Sequence, residues 1–248
     1  MCRQLHSLAL VCLLLIISAC KTVTYHADTE VQYLETNSFY PADKNIEKLI
    51  APYSAQLSDK MDVSLGQLEE DLVKDRPNSN LGNWFTDTLL EEANGMFFKA
   101  CDIAMQNYGG LRVPSLGKGE LTVRDIYELM PFDNTVVAID IPGTVLQQLL
   151  DQNAQSNGWP ISHTLNYKIK DRKATEVTIH GEPIDNNKIY RLVVPDYVAN
   201  GGDASGILKS YPQEDSGVFV RDAIIEHLLQ LQAENKAIEV DNSKRIFR

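Results

Sequence analysis

The chain has 248 residues, of which 44% are hydrophobic, and a formal net charge of −11 at pH 7. This length and apolar content suffice for a domain with its own hydrophobic core, so the four cysteines are not needed as disulfide staples. The negative charge repels polyanions at long range and argues against a DNA-binding or RNA-binding protein. A small anionic ligand would need a local cluster of arginines and backbone amides.

The N-terminus predicts an exported protein. Arg3 precedes a short apolar run, which is typical of a signal peptide and too short to span a bilayer. The run ends in Ile-Ser-Ala-Cys at residues 17–20, which resembles the bacterial lipobox. We therefore expect a signal peptide over residues 1–19 and lipidation at Cys20. An ordinary secreted protein and an uncleaved anchor are the alternatives.

The segment after the lipobox predicts a tether and then one domain. Lys21, rather than an aspartate, follows the cysteine, which favours an outer-membrane lipoprotein that faces the periplasm. Residues 20–43 are polar and lack a helical or strand period, so we interpret them as a lipidated tether. No internal repeat follows, and residues 44–248 are interpreted as a single domain.

The first two predicted helices lie near the start of this domain. Ile46 and Tyr53 belong to a run with helical spacing, which we expect Pro52 to bend or break. Ser79 or Asn80 then caps a second helix. Its predicted core face consists of Leu81, Trp84, Phe85, Thr88 and Leu89.

Three more helices follow. Thr122 and Asp125 form a capping-box pattern before a helix over 123–130, and Thr144 is predicted to start another over 145–152. An amphipathic run over 220–231 predicts the last helix. Its predicted buried residues are Ile224, Ile225, Leu228 and Leu229, and His227 in it is expected to be partly exposed.

Strand-like runs lie between these helices. They cover residues 102–106, 135–141, 165–170, 176–180 and 189–194. A turn at 180–183 indicates antiparallel neighbours late in the chain. Because helices and strands mix without strict alternation, we predict an α+β fold, a single domain with a mixed β-sheet flanked by helices.

Three loops carry candidate chemistry. The loop 107–112 (Asn-Tyr-Gly-Gly-Leu-Arg) offers backbone amides at Gly109 and Gly110 and the guanidinium of Arg112 to an anion, although a Gly-Gly pair is also typical of a simple tight turn. The loops 131–134 and 196–203 each contain an aromatic residue, Phe132 and Tyr197 respectively. Such rings can pack in the core or clamp a flat base.

Five motifs in order resemble the C-terminal domain of the 5'-nucleotidase and UDP-sugar hydrolase family. They are Ser-Asn-Leu-Gly-Asn (79–83), Asn-Tyr-Gly-Gly-Leu-Arg (107–112), Gly-Glu-Leu-Thr (119–122), Pro-Phe-Asp-Asn (131–134) and the segment 197–203. The resemblance implies a domain that binds the nucleoside of a nucleotide. By motif it implies a base sandwich of Phe132 and Tyr197, a phosphate contact at Arg112 beside Gly109 and Gly110, a base-edge contact at Asn134 and a ribose acceptor at Asp203.

Two positions depart from the family pattern. A second arginine usually lies upstream of the 79–83 motif, and Arg76 is near that place in an uncertain register. Where the family often has serine then glycine, this chain has Ser162 and His163. The histidine either intrudes on the base pocket or points to solvent.

The resemblance does not extend to the catalytic half of the family. There an N-terminal metallophosphatase domain holds two metals and activates water. The histidines of this chain lack metal-ligand spacing, and no nucleophile-elbow, Walker or Rossmann pattern is present. We therefore predict no catalytic residue, no metal and no cofactor in this chain, with divalent metals expected only in a partner phosphatase.

These observations lead to one leading hypothesis and two alternatives. The chain is predicted to be the nucleotide-recognition domain of a split periplasmic 5'-nucleotidase in nucleotide catabolism. It would act with a separate metallophosphatase chain and would not hydrolyse its substrate alone. The alternatives are a stand-alone lipoprotein that binds nucleosides or nucleotides, and a scaffold without a ligand.

Overall fold

The computed structural model describes residues 42–248. The predicted signal peptide, Cys20 and nearly all of the predicted tether lie outside these residues and stay predictions. Residues Ile50–Arg248 form a compact unit, whose fold is described below. Helix α1 (Lys44–Met61) begins before it.

Further helices and two main sheets confirm the predicted α+β class. The helices after α1 are α2 (Asn80–Met96), α3 (Val123–Leu129), α4 (Gly143–Gln155), α5 (Asp196–Ala199) and α6 (Val220–Ala233). The strands are β1 (Ser64–Leu68), β2 (Leu72–Val73), β3 (Ile103–Ala104), β4 (Ser115–Leu116), β5 (Gly119–Thr122), β6 (Thr135–Pro142), β7 (Leu165–Lys170), β8 (Lys173–Ile179), β9 (Glu182–Pro183), β10 (Ile189–Pro195), β11 (Gln213–Phe219) and β12 (Ile246–Phe247).

A four-stranded mixed sheet forms the centre of the domain. Its order is β11-β6-β10-β3, and β10 pairs antiparallel with β6 and parallel with β3. Ala138 and Val193 face one hydrophobic core, whereas Ile139 and Leu192 face a second core on the other side. Burial on both faces explains why β6 and β10 are almost continuously apolar.

This strand order brings three loops to one edge of the sheet. Because β3 and β10 are parallel, their carboxyl ends lie at the same edge, and the amino end of the antiparallel β6 lies there too. The loop after β3 is 107–112, the loop before β6 is 131–134 and the segment after β10 is 196–203. All three loops predicted to carry chemistry therefore meet.

Two predicted helix starts are confirmed. The Ser79 hydroxyl accepts a hydrogen bond from the Gly82 N–H at 2.9 Å and caps α2, whose predicted core face is fully buried. Thr122 and Asp125 form the predicted capping box of α3. These caps satisfy N–H donors that the first helical turn leaves unpaired.

The predictions for α1 and α4 need correction. Of the predicted bend or break at Pro52, the break is wrong, because α1 continues through the proline to Met61. Helix α4 is capped at Pro142 rather than Thr144, and its Gly143 N–H donates to the Lys188 carbonyl at 2.9 Å. A carbonyl of the turn before β10 thus replaces the predicted side-chain cap.

The buried face of α6 also differs from its prediction. Ile224 and Leu228 are buried, Ile225 is partly buried and Leu229 is exposed, since the helix packs against α2 and α3 through a narrower face. His227 is buried rather than partly exposed. Its Nδ1 lies 2.9 Å from Glu92 Oε1 of α2, which explains how a polar ring is accommodated there.

The C-terminal segment is attached through one buried arginine. Arg245 is 2% exposed at its side chain, and its guanidinium donates to Asp87, to Asp241 and to the Ile161 carbonyl. The next residues form β12, which pairs parallel with β7 at the edge of the second sheet. Within residues 42–248, no helix is long and apolar enough to cross a membrane.

We expect the Arg245 cluster to make folding stability depend on acid pH. Burial alone would raise the pKa of Asp241, but hydrogen bonds from Arg245 and Ser243 lower it from 3.8 to about 2. The folded-state pKa is depressed, so the stabilisation is present above pH 4 and is lost as the pH falls toward 2. Asp241→Asn should lower the free energy of unfolding by about 1 kcal/mol at pH 7, a discounted value because the side chain is 40% exposed.

Urea unfolding at pH 7, 4 and 2.5 measures this difference, which should shrink toward zero at the lowest pH. Asp171→Asn, in the exposed turn between β7 and β8, is the matched control and should change little. An Asp241→Asn effect that is independent of pH would contradict the interpretation.

Candidate functional site

The three loops surround a cavity of about 490 Å³. Its lining residues are Asn107, Gly109, Gly110, Arg112, Phe132, Asp133, Asn134, Tyr197 and Asp203. The set includes every residue that the sequence predicted to bind substrate. The structure therefore brings these residues together, while their contact with a ligand stays a prediction.

The Gly-Gly loop is a 3₁₀ turn that leaves no room for a side chain at its end. A Cβ on Gly110 would overlap with Gln106 Nε2 and would lie 2.7 Å from Asn107 Oδ1. Gln106 is fully buried and donates from Nε2 to Asn107 Oδ1 at 2.9 Å. This hydrogen bond orients the Asn107 amide, so its Nδ2 points toward the cavity.

Asp203 connects two of the loops through its carboxylate. Oδ2 accepts from Asn107 Nδ2 at 2.6 Å, and Oδ1 accepts from the Tyr197 hydroxyl at 3.1 Å. The backbone of Asp203 is left-handed, with φ 49° and ψ 43°, a conformation that is costly outside glycine and frequent at functional sites. Each carboxylate oxygen retains a lone pair for a hydroxyl in the cavity.

Two aromatic rings face the cavity rather than the core. Phe132 is 38% exposed and Tyr197 is 46% exposed, so neither follows the usual burial of an aromatic next to a strand. The Arg112 guanidinium carbon lies 5.5 Å from the centre of the Phe132 ring, and its Nη1 donates to the Gly109 carbonyl at 3.2 Å. Flat apolar surface and positive charge are therefore adjacent.

Asn134 presents one half of its amide to the cavity. Its Nδ2 donates to Asp196 Oδ1 at 2.7 Å, and the same oxygen accepts from the Tyr197 N–H at 2.7 Å. One of the two N–H groups of this amide is thus used within the protein. The side-chain oxygen Oδ1 of Asn134 remains as an acceptor for a donor in the cavity.

A cluster of three cations surrounds the Gly-Gly loop. Lys74 donates from Nζ to the Leu111 carbonyl at 2.6 Å, and both Lys74 Nζ and the Arg76 guanidinium lie over the Tyr108 ring, at 4.1 and 3.7 Å from its centre. Burial, with the positive charges of Arg76 and Arg112, lowers the pKa of Lys74. The three like charges therefore act on one another.

These cations differ from the buried arginines elsewhere in the domain. Arg191, Arg221 and Arg245 each pair with two carboxylates. Among the described residues, no carboxylate lies within ion-pair distance of Lys74, Arg76 or Arg112 (distance limit 4.0 Å). An uncompensated positive site in a chain of net charge −11 is suited to an anionic ligand.

The structure also decides the two positions that departed from the family pattern. Arg76 reaches the Gly-Gly loop through its stack on Tyr108 and donates from Nη1 to the Ser156 carbonyl at 2.8 Å. His163 is exposed, pairs with Asp87 at 3.2 Å and does not line the cavity. Its imidazole therefore points to solvent instead of intruding on the pocket.

Sequence reasoning missed some residues at this site. Lys74 gave no signal, because its proximity to the loop arises only from tertiary packing. Asn107 and Asp133 belong to the quoted motifs and were given no role, although both line the cavity.

A larger cavity, of about 590 Å³, lies between α2, α6 and the C-terminal segment. It is lined by acidic residues, including Glu91, Glu239 and Asp241, and contains neither a pair of exposed rings nor an unpaired cation. The cavity at the edge of the central sheet is therefore the candidate site, although it is the smaller one.

The described residues do not fit a two-metal centre. Within residues 42–248, no three His, Cys, Asp or Glu side chains are grouped so that they could hold a metal ion. The three histidines in this part of the chain pair with separate carboxylates at distant places, His163 with Asp87, His180 with Asp102 and His227 with Glu92.

The family model for the 5'-nucleotidase C-terminal domain matches residues 64–210. The chain belongs to this family. The matched segment contains all nine residues that line the cavity. The expected family membership and fold are thereby confirmed.

Relatives of this 5'-nucleotidase C-terminal domain are much longer chains. It is 25% identical to the protein UshA of Yersinia enterocolitica over 76% of this chain and 34% of the relative. It is 26% identical to the 5'-nucleotidase of Vibrio vulnificus, over 86% of this chain and 38% of the relative. The crystal structure of a 5'-nucleotidase precursor from Thermus thermophilus superposes with a TM-score of 0.73 at 28% identity, with 84% and 43% covered. The chain thus spans about a third of the curated relatives.

We expect Gly110→Ala to disturb the buried hydrogen bonds that orient the site. The added methyl group must displace the buried amides of Gln106 and Asn107, and the Asn107–Asp203 hydrogen bond should break. Overpacking of this kind lowers the free energy of unfolding by roughly 1–3 kcal/mol. Urea denaturation measures the loss, with Gly117→Ala as the matched control, because that Cβ meets no atom within 4 Å. Equal stability of the two variants would contradict this account.

Proposed function

We propose that this chain binds a nucleotide in the cavity and serves as the recognition part of a split 5'-nucleotidase. The observation that carries the proposal is the juxtaposition of two exposed aromatic rings with an unpaired cluster of cations. A nucleotide combines a flat apolar base with an anionic phosphate, so both features find a partner in one ligand.

The base and ribose would occupy the side of the cavity formed by Phe132, Asn134, Tyr197 and Asp203. The two rings supply apolar faces for the base, and Asn134 Oδ1 can accept from an exocyclic amine at its edge. Asp203 is held by Asn107 and Tyr197 before any ligand arrives. Its remaining lone pairs suit the two ribose hydroxyls, with little ordering cost on binding.

The phosphate would lie near Arg112 and the Gly-Gly turn. Arg112 provides a planar donor fork, and Gly109 is exposed. Lys74 and Arg76 add positive charge on the far side of Tyr108. Because no carboxylate pairs with these groups, their positive charge is available to attract a phosphate.

The hydrolytic step is proposed to belong to a separate chain. The longer relatives that carry the name 5'-nucleotidase extend well beyond the part that this chain matches. We propose that a metallophosphatase chain supplies the equivalent of that part, brings the divalent metals and docks against the nucleotide site. In this proposal the present chain contributes recognition and no catalytic residue.

The proposed cellular setting follows from the N-terminal sequence. Lipidation at Cys20 would attach the domain to the outer membrane on its periplasmic side through the tether 20–43. Nucleotides that reach the periplasm would then meet a membrane-bound recognition domain, in keeping with a role in nucleotide catabolism.

Calorimetry on the full chain in a mild detergent tests nucleotide binding. We expect AMP to bind. Phe132→Ala should lower the affinity for both AMP and adenosine by about tenfold or more, because the stacking on the ring is lost. Arg112→Ala should weaken AMP by roughly tenfold to a hundredfold, because it removes a charge-assisted hydrogen bond, and should leave adenosine nearly unchanged. UDP-glucose tests whether a sugar nucleotide also binds. Phe98→Ala removes a fully exposed phenylalanine outside the cavity and is the matched control.

A large loss of stability in Phe132→Ala without any change in affinity would instead support the scaffold alternative. If the wild-type chain binds no AMP, the proposed site does not bind a nucleotide without a partner chain.

Copurification under gentle detergent tests the split enzyme. We expect the full chain to recover a metallophosphatase chain and the pair to hydrolyse AMP, with loss of hydrolysis in Phe132→Ala. Hydrolysis should stop when a chelator removes the metals, whereas AMP binding to the present chain should persist. Binding of AMP with no recovered phosphatase would favour the stand-alone binding lipoprotein.

A further inference from the structure

Arg221 lies beneath the loop 131–134, outside the segment that the family model matches. Its guanidinium is 8% exposed and donates to this loop twice, from Nη1 to the Phe132 carbonyl at 3.3 Å and from Nη2 to Asp133 Oδ1 at 3.0 Å. The third donor nitrogen, Nε, donates to Asp222 Oδ1 at 3.3 Å. Arg221 therefore directs two of its three hydrogen bonds to the loop that carries one of the cavity rings.

The start of α6 holds the rest of the same loop. The Val220 N–H, at the first position of the helix, donates to the Asn134 carbonyl at 2.8 Å. This hydrogen bond also satisfies a donor that has no partner within the helix. Three consecutive loop residues, 132–134, are thus attached to the two residues Val220 and Arg221.

Aromatic rings hold the guanidinium in place. Its carbon lies 4.2 Å from the centre of the Tyr127 ring and 5.8 Å from that of Phe219. Tyr127 belongs to α3 and Phe219 immediately precedes α6, so the arginine is fixed between two helices. A planar group in this position cannot follow the loop if the loop moves.

The loop needs such a restraint because it has little structure of its own. Residues 131–134 belong to neither a helix nor a strand. Phe132 is 38% exposed, and an unrestrained loop would let this ring turn toward other apolar surface. The contacts made by Val220 and Arg221 hold the loop backbone in an arrangement in which the ring lines the cavity.

We infer that Arg221 is a positioning residue for the nucleotide site and acts through the loop 131–134 to present Phe132 and Asn134. This inference rests on the proposed function where it concerns ligand affinity, and on the geometry alone where it concerns the order of the loop. Arg221 does not line the cavity and would not touch the ligand.

The variant Arg221→Met separates this role from folding. The methionine side chain fills much of the same space between Tyr127 and Phe219, and Asp133 is 73% exposed, so its carboxylate can be solvated once the arginine is gone. Replacement of a buried charge by an apolar residue is often tolerated under these conditions. Arg191→Met is the matched control, since Arg191 is equally buried between two carboxylates and lies away from the cavity.

Hydrogen exchange measured by mass spectrometry on the full chain tests the restraint without a ligand. We expect the peptide that covers residues 218–223, which contains the Val220 N–H donated to the Asn134 carbonyl, to exchange about tenfold faster in Arg221→Met, with α2 and the centre of β10 unchanged. Arg191→Met should leave this peptide unchanged, and Arg221→Lys should lie between, because lysine retains the charge without the planar fork. Unchanged exchange in Arg221→Met would overturn the inference.

Calorimetry with AMP completes the test. Arg221→Met should lower the affinity for AMP about tenfold in the wild-type background and less than twofold in a Phe132→Ala background. The reason is that an effect that acts through the Phe132 ring disappears when the ring is removed. An equal loss of AMP affinity in both backgrounds would show that Arg221 does not act through the Phe132 ring, and would overturn the role assigned to Phe132. If the wild-type chain binds no AMP, the proposed function falls, and the exchange measurement still decides whether Arg221 orders the loop.

Discussion

The position of β10 between β3 and β6 is the constraint on which the site depends. A parallel partner on one side and an antiparallel partner on the other bring two carboxyl ends and one amino end to the same edge of the sheet. Loops that are separated by up to about ninety residues along the chain thereby meet around one cavity. Two hydrophobic cores, one on each face, make this register costly to change, because a slip of one residue would exchange the two faces.

Short polar contacts convert this proximity into a defined site. Gln106 orients Asn107, Asn107 holds Asp203, and Asp203 holds the hydroxyl of Tyr197. The chain of hydrogen bonds runs from a fully buried amide to an exposed ring. Each member restricts the next one, so the acceptor and the ring are arranged before a ligand binds. Such preorganisation reduces the entropic cost of binding.

Charge is distributed so that one place in an acidic protein remains attractive to anions. Arg191, Arg221 and Arg245 are each paired with two carboxylates, whereas the cluster at Lys74, Arg76 and Arg112 has no acidic partner among the described residues. The overall charge of −11 repels extended polyanions, and the local cluster acts at short range on a small one. The two scales of electrostatics together favour a small anion over a nucleic acid, as the proposed function requires.

Local sequence signals determined several elements of this protein by themselves. The Ser79 cap and the Thr122–Asp125 capping box start their helices as predicted, and the apolar runs of β6, β7 and β10 are strands, because these signals depend on residues within one or two turns. The motifs likewise named every predicted ligand-binding residue that now lines the cavity.

Only the tertiary structure decided the remainder. The strand β11 has an exposed, polar sequence without alternation and forms because β6 offers it an edge. His227 is buried because Glu92 on another helix pairs with it, and Lys74 and Arg221 reach the site from segments far away in the chain. A side chain's neighbours across the fold are set by how elements pack, and one-dimensional spacing carries no information about them. The sequence by itself thus determined the helix caps, the main strands and the motif residues, and packing decided which distant groups support them.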